Sequence, residues 1–207
     1  MNKILTIFLA GAVLALASPA QAAVVDFDDV SAGGKLSPLS KYNPYDGLSW
    51  TSSWFLGDTA VNGYSNGAHS GTQFVSNGFG VNNLGISSTI AFNLDGAWFA
   101  TPATNGSKAT WINITAYDAA NQLIGSTGNI AISGNYSWVQ AGFANVSRLT
   151  ITRDKGWFVM DDLSMSAIGP IPSPVPEPGS VALLAAGLLM TGLAARRRCR
   201  PTPSPAA

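Results

Sequence analysis

Hydrophobic and polar residues alternate in short runs through the middle of the chain, and turn-forming residues separate the runs. The run Trp111–Tyr117 alternates in character and is followed by Asp118-Ala119-Ala120-Asn121, which predicts a strand and then a turn. The runs 148–152 and 157–160 flank Arg153-Asp154-Lys155-Gly156 and predict a hairpin. Further strands are predicted at 24–28, 47–51, 72–76, 88–94, 97–100, 122–125, 128–132 and 136–143.

This pattern predicts an all-β domain over residues 23–168, because no segment there keeps helical periodicity for three turns. Many short strands in one domain favour an antiparallel β-sandwich, with a jelly roll as the expected topology.

Both ends of the chain depart from this alternation. Lys3, the apolar run 4–17 and Ala20-Gln21-Ala22 predict a signal peptide over residues 1–22, so the mature chain begins at Ala23. Residues 179–195 carry no charge and approach the length of about 17–25 residues that spans a bilayer. They predict one transmembrane helix, with the basic tail 196–207 in the cytoplasm. The alternatives are an uncleaved anchor or a core helix at the start, and a permanent membrane anchor or a core helix at the end.

A proline-rich spacer, residues 169–178, lies between the predicted domain and the helix, and its alternating prolines predict an extended conformation. It ends in Val175-Pro176-Glu177-Pro178, and Arg196, Arg197 and Arg198 follow the helix. This order resembles the PEP-CTERM sorting signal of Gram-negative bacteria, a tail also called an ice-binding-protein C-terminal domain. The resemblance implies recognition by an exosortase, cleavage near the PEP motif, an inner-membrane intermediate, and release to the cell surface or extracellular matrix.

Charge and cysteine content narrow the class of protein further. Between residues 23 and 170 there are ten Asp against four Lys and two Arg, which excludes a surface built for nucleic acid. Cys199 is the only cysteine, so the chain forms no internal disulfide. Packing or a bound ion must therefore stabilise the domain.

Aspartates mark both ends of the predicted domain. In the closing strand, Asp161 interrupts an apolar row, and a buried carboxylate needs a cation or several hydrogen bonds. With VVDFDDV (24–30) at its opening and WFVMDDLSM (157–165) at its close, the domain resembles exported PEP-CTERM proteins with a galactose-binding-like jelly roll, in which calcium often joins the first and last strands. We therefore predict a calcium site. The alternative is that these carboxylates cap turns or face water. The candidate ligands are Asp26, Asp28, Asp29, Asp161 and Asp162.

Aromatic residues predict a glycan site, because indole rings stack on the C–H faces of sugars. The candidate stacking residues in predicted loops are Trp50, Trp54 and Tyr64, beside Phe55. Hydrogen bonds to hydroxyl groups would come from Asn62, Asn66, His69 and Gln73. The alternative is that these aromatic residues pack in the core.

The sequence predicts no enzyme. Gly63-Tyr64-Ser65-Asn66-Gly67 matches the nucleophile-elbow pattern, but that motif needs a strand before it, a helix after it, and a distant His and Asp. We therefore expect a non-enzymatic, exported bacterial protein of the surface or exopolysaccharide matrix that binds glycan. A structural matrix protein without a ligand site is the alternative, and a secreted hydrolase is the third possibility.

Overall fold

The computed structural model of the chain describes residues 22–78, 81–104 and 106–167. These residues form antiparallel strands and one short 3-10 helix, Leu39–Tyr42, which confirms the all-β, antiparallel class. The strands are β1 (Ala23–Val25), β2 (Ser37–Pro38), β3 (Ser49–Trp50), β4 (Trp54–Asp58), β5 (Gln73–Asn77), β6 (Asn83–Ala100), β7 (Trp111–Tyr117), β8 (Leu123–Ser126), β9 (Ile130–Ala131), β10 (Ser137–Arg153) and β11 (Val159–Ala167).

Several predicted segments lie outside the described residues. They are residues 1–21 of the signal peptide, the spacer 169–178, the sorting helix 179–195 and the tail 196–207. Within the part of the chain that the structure describes, no helix is long and apolar enough to cross a membrane.

The strands follow the order β2-β4-β5-β11-β6-β10-β7-β8, with β1 beside β11, β3 beside β6 and β9 beside β7. The long strands β6 and β10 pair along most of their length, and register shifts between Gln140 and Arg148 bend the pair. One half of this pair is flanked by β11 and β5, and the other half by β3 and β7. Buried residues of both halves form one core, so the bent sheet folds over into two layers.

The core contains a continuous row of aromatic rings. Phe27 stacks on Tyr45 at 5.4 Å, and Trp50 meets Trp54 edge to face at 5.4 Å. Phe158 continues the row at 6.0 Å from Trp54. The two indole N–H groups donate to the backbone carbonyls of Tyr45 and Gly85, so burial leaves neither donor unpaired.

A smaller cluster lies on the other side of the layer formed by β5, β11 and the second half of β6. Tyr64 stacks on Phe74 at 5.3 Å, and Ala100 and Val159 pack with them. The β4–β5 loop, residues 59–72, covers this cluster, since Tyr64 belongs to that loop. Gly67 permits the close approach, because a Cβ there would overlap the Phe74 ring. The loop therefore covers part of the outer face of this layer.

The predicted hairpin between 148–152 and 157–160 is wrong. Both segments are extended, but β6 lies between β10 and β11 in the sheet, so the two strands do not pair. The loop that joins them therefore connects strands across β6. By contrast, β7 and β8 pair as a hairpin across the predicted turn at Asp118–Asn121.

Candidate functional site

Carboxylates fasten the end of the β4–β5 loop to the sheet. Asp161 accepts hydrogen bonds from the backbone N–H groups of His69 (2.8 Å) and Ser70 (3.0 Å) through Oδ2. Asp162 accepts the Ser70 hydroxyl at 2.6 Å, and its Oδ2 lies 2.6 Å from His69 Nδ1. From the other side, Asp28 accepts the N–H groups of Thr72 (2.9 Å) and Gln73 (3.0 Å). Two aspartates therefore fix the position of His69, and Asp28 holds the residues that follow it.

Asp161 is completely buried, as the interrupted apolar row predicts. Burial raises the pKa of its carboxyl group to about 7, and the nearby Asp162 carboxylate adds to the shift. Hydrogen bonds from the N–H groups of Ser70, His69 and Asp162 oppose the shift by stabilising the ionised form. The contacts of Asp161 are therefore those of the alternative to the calcium site, in which the carboxylate caps a turn.

A bulge in β11 turns Asp161 and Asp162 toward the loop. Asp161 pairs with Trp98, whereas Ser164 pairs with Gly96, so β11 holds one more residue than β6 across this interval. Asp162 adopts a positive φ of 47° within the bulge. This geometry lets consecutive aspartates bind the same pair of loop residues.

Aromatic side chains form a step where the loop ends. The His69 ring stacks on Trp98 with centroids 3.9 Å apart, and Tyr136 meets His69 edge to face at 5.4 Å. Trp138 pairs with Trp98 across the strands and continues the row, with ring centroids 5.7 Å apart. The Tyr136 hydroxyl donates to the Gly67 carbonyl, and burial raises the pKa of this hydroxyl. We call His69, Trp98, Tyr136 and Trp138 the aromatic step.

Trp138 forms one end of the aromatic step and is half-buried, as Trp98 is, whereas His69 is exposed. Its ring lies over Gly96, where a Cβ would come within 2.6 Å of Cζ2. Its Nε1 donates to Gln140 Oε1 at 2.9 Å, and Gln140 Nε2 donates to the Asp95 carbonyl at 2.9 Å. The Asp95 carboxylate accepts the Ser164 hydroxyl at 3.2 Å. A half-buried indole held in one orientation, with amide, hydroxyl and carboxylate groups beside it, can stack on a sugar and bind its polar groups.

The predicted glycan-stacking residues require a correction. Trp50, Trp54 and Tyr64 are 3%, 0% and 0% exposed, so their ring faces are closed to a ligand. The loop and the two layers enclose these three side chains. They therefore pack in the core, which is the alternative to glycan stacking that the sequence left open. Of the predicted polar partners, His69 lies in the aromatic step, while Asn66 binds the carbonyls of Thr101 and Gly134.

The five predicted calcium ligands occupy three neighbourhoods. Asp161 and Asp162 bind His69 and Ser70, Asp28 binds Thr72 and Gln73, and Asp29 accepts the Tyr45 hydroxyl near Asp26. Within the described residues, no three His, Cys, Asp or Glu side chains form a group arranged to hold a metal ion. Backbone N–H groups occupy several of the oxygens that a cation would use.

The Gly63–Gly67 segment lies in a series of turns in the β4–β5 loop. Tyr64 N–H donates to Val61 O and Gly67 N–H donates to Tyr64 O. Ser65 is exposed, and the next regular element is strand β5. His69 faces Asp162 and Trp98. The strand–turn–helix setting of a nucleophile elbow is therefore not the setting of Ser65.

The C-terminal segment matches a known family. Residues 174–198 match the family model of the PEP-CTERM protein-sorting motif. The chain carries this sorting motif. The matched range includes the predicted residues Val175–Pro178 and Arg196–Arg198. The PEP-CTERM motif indicates an exported, exosortase-processed surface protein.

Solved structures that resemble this chain are distant. A DUF4465 family protein from Bacteroides caccae is 13% identical with a TM-score of 0.42, covering 58% of this chain and 80% of that one. The K2 cleaved adhesin domain of Lys-gingipain is 12% identical with a TM-score of 0.42, and the match covers 72% of this chain and 98% of that one. TmCBM61, solved in complex with β-1,4-galactotriose, is 15% identical with a TM-score of 0.36, and the match covers 58% of this chain and 87% of that one. No curated protein matches the chain.

Trp98 and Trp138 are the site residues that the sequence prediction missed. Tyr136, Trp138 and Gln140 alternate with Val139 between them, which is the signal of a strand with an aromatic and polar outer face. The contact between Trp138 and Trp98 depends on the pairing of β10 with β6, which alternation alone does not reveal.

Proposed function

We propose that this PEP-CTERM protein is a non-enzymatic component of the bacterial surface or exopolysaccharide matrix whose exported domain binds glycan. The sorting motif supports the destination, since an exosortase substrate is delivered outward from the inner membrane. An envelope glycan or the host's own exopolysaccharide is the proposed ligand. The predicted signal peptide, the transmembrane sorting helix and cleavage near Pro176 or Pro178 are parts of the same proposal.

The aromatic step is the observation that carries the glycan proposal. Trp138 keeps part of its ring exposed, and two hydrogen bonds through Gln140 fix its orientation. A ring that is already ordered loses little conformational entropy when it binds a ligand. Ser164, Gln140 and Asp95 supply the polar groups that a stacked sugar requires. The site replaces the predicted set of Trp50, Trp54 and Tyr64.

A pulldown with the host's own exopolysaccharide tests this proposal. We expect saturable binding by the protein recovered from its host, competed by soluble glycan and lost in Trp138→Ala. Trp111→Ala is the matched control, because Trp111 is also half-buried but lies on β7, which pairs with the opposite end of β10, Arg148–Arg153. Equal loss in the two variants, or full binding by Trp138→Ala, would contradict the site.

The proposed absence of catalysis has its own test. Ser65 is the residue that a hydrolase would use if the Gly63–Gly67 motif were functional. We expect no turnover of fluorogenic esters by the wild-type protein. Turnover that disappears in Ser65→Ala would replace the binding proposal with a secreted hydrolase.

A structural matrix role is the second candidate, and strand β8 favours it. This strand ends the sheet order, and its Leu123 and Ile124 are 64% and 36% exposed. An open edge with apolar side chains can pair with another strand. Under this alternative, sedimentation shows concentration-dependent self-association that Ile124→Lys reduces, while exopolysaccharide does not bind.

We further propose the galactose-binding-like jelly roll as the topology of the domain. The direct pairing of β1 with β11 and the passage of β6 and β10 between both layers support it. Calcium binding by the five predicted aspartates is retained as a proposal within this fold.

A further inference from the structure

We propose that the aromatic step selects glycans with free, protonated amino groups over neutral and acidic glycans. This inference rests on the proposed glycan-binding function and names the class of sugar at the same site. Sugars that carry a de-N-acetylated 2-amino group are the expected ligands.

Negative charge adjoins the stacking surface. The residue before Gly96, over which Trp138 lies, is the half-buried Asp95, and its backbone carbonyl accepts a hydrogen bond from Gln140, the side chain that Trp138 binds. Within the described residues, the Asp95 carboxylate accepts one hydrogen bond, from Ser164 Oγ. A carboxylate offers about four lone-pair positions, so most of its acceptor capacity is left for solvent or a ligand.

A second carboxylate, that of Asp162, lies at the His69 end of the step. Asp162 contacts His69, and the His69 ring lies on Trp98. Among the residues that the structure describes, His69–Asp162 is the only contact of salt-bridge length between a basic and an acidic side chain, so neither Lys nor Arg pairs with Asp95 or Asp162. The domain as a whole has ten Asp against four Lys and two Arg, which adds a field of the same sign.

An ammonium group on a sugar matches this arrangement in two ways. The negative face of an indole attracts a cation within about 6 Å of the ring centroid. A carboxylate beside the ring then forms a charge-assisted hydrogen bond with the same group. A neutral sugar on Trp138 gains at most a hydroxyl hydrogen bond to Asp95, without the attraction between opposite charges, and a uronic acid is repelled by the carboxylate. The carboxylate therefore determines which stacked sugar binds most tightly.

Matched oligosaccharides separate these cases. Calorimetry on the protein recovered from its host would compare a glucosamine tetramer, an N-acetylglucosamine tetramer and a tetramer of uronic acids at low and high salt. We expect the free-amine tetramer to bind about tenfold tighter than the N-acetylated one at low salt. The advantage shrinks as salt rises, because screening weakens interactions between exposed charges.

Two variants assign the selectivity to its residues. Asp95→Asn keeps an acceptor for Ser164 but removes the charge, so we expect it to abolish the preference for the amine while binding of the N-acetylated tetramer persists. Trp138→Ala is expected to abolish binding of both tetramers. Asp118→Asn removes one charge at the β7–β8 turn and serves as the control, with the preference unchanged.

The outcomes distinguish this inference from the function on which it rests. Equal affinity for the amine and N-acetylated tetramers, or tighter binding of the uronic acid tetramer, overturns the selectivity while glycan binding stands. A preference that survives in Asp95→Asn also overturns it. Failure of every tetramer and of the host exopolysaccharide to bind overturns both proposals.

Discussion

At the scale of single residues, Asp161 couples stability to pH. Its folded-state pKa of about 7 lies above the ordinary carboxyl value because the group is buried. Below about pH 4 both the folded and unfolded states keep the proton, and the stabilising contribution is complete. As pH rises through 7 the buried carboxyl must ionise, so this contribution is lost.

The comparison with Asp161→Asn isolates this effect, because the other titrating groups are common to both proteins. We expect the unfolding free energy of the wild type to fall relative to the variant between pH 4 and 8, by a few kcal/mol. Urea unfolding across this range measures the difference. A pH-independent difference, or one of the opposite sign, would show that Asp161 is ionised throughout.

Gly71 is a second residue with a specific requirement. Its φ is 48°, and a Cβ there would overlap the Asp28 carboxylate that binds Thr72 and Gln73. Gly128 has a φ of 68° with open space around it, so Gly128→Ala measures the backbone strain alone, about 1 kcal/mol. We expect Gly71→Ala to cost about 1–3 kcal/mol more in chemical denaturation, since the Asp28 hydrogen bonds are displaced. Equal costs would mean that Asp28 moves aside freely.

At the scale of elements, the sequence predicts a strand well where alternation is regular. Strand β7 is buried at every second residue and coincides with the prediction of 111–117. Strands β6 and β10 were each predicted in two pieces, because their bends interrupt the alternation. Strand β4 was missed, since consecutive residues Leu56–Asp58 are buried and the period of two is lost.

The same reasoning explains the incomplete prediction of the site. Asp161 and His69 could be selected from the sequence because a carboxylate in an apolar row and a single histidine are unusual. The core role of Trp50 and Trp54 could not be predicted from the sequence, because the exposure of a side chain depends on which layers enclose its strand or loop. The aromatic step also needs the pairing of β6 with β10, which is a long-range property.

The aromatic row of the core provides a test of this correction. Trp54 is fully buried between Trp50 and Phe158, so Trp54→Ala leaves a large cavity and is expected to cost about 3–5 kcal/mol of stability. Trp111→Ala, at a half-buried position, is expected to cost less. Melting temperatures of the two variants measure the difference. A small cost at Trp54 together with lost glycan binding would restore the predicted stacking role.

The first and last strands carry the calcium prediction. β1 pairs directly with β11, and Asp26, Asp28 and Asp29 follow β1. Six to eight oxygen ligands from these carboxylates, nearby carbonyls and water would suit calcium. We expect isothermal titration of the metal-stripped protein to give saturable heat, and calcium to raise its melting temperature. Neither change would occur if backbone N–H groups alone satisfy these carboxylates.

At the scale of the whole molecule, the acidic exported domain and the basic sorting tail have separate tasks. Ten Asp lie between residues 23 and 170, whereas Arg196, Arg197, Arg198 and Arg200 follow the apolar segment. Arginines beyond an apolar helix hold that end in the cytoplasm while the other end is exported. Removal of the tail would therefore change both the location and the net charge of the protein.

The intact mass of the protein recovered from its host tests this division directly. Under the proposed cleavage near the PEP motif, we expect the extracellular fraction to contain a species that begins at Ala23 and ends near Pro176 or Pro178. The membrane fraction should hold the uncut intermediate. Pro176→Ala is expected to shift material to the membrane fraction, whereas Pro201→Ala, beyond the matched motif, leaves the distribution unchanged. Extracellular protein that still carries Arg196–Arg198 would show that release does not require cleavage.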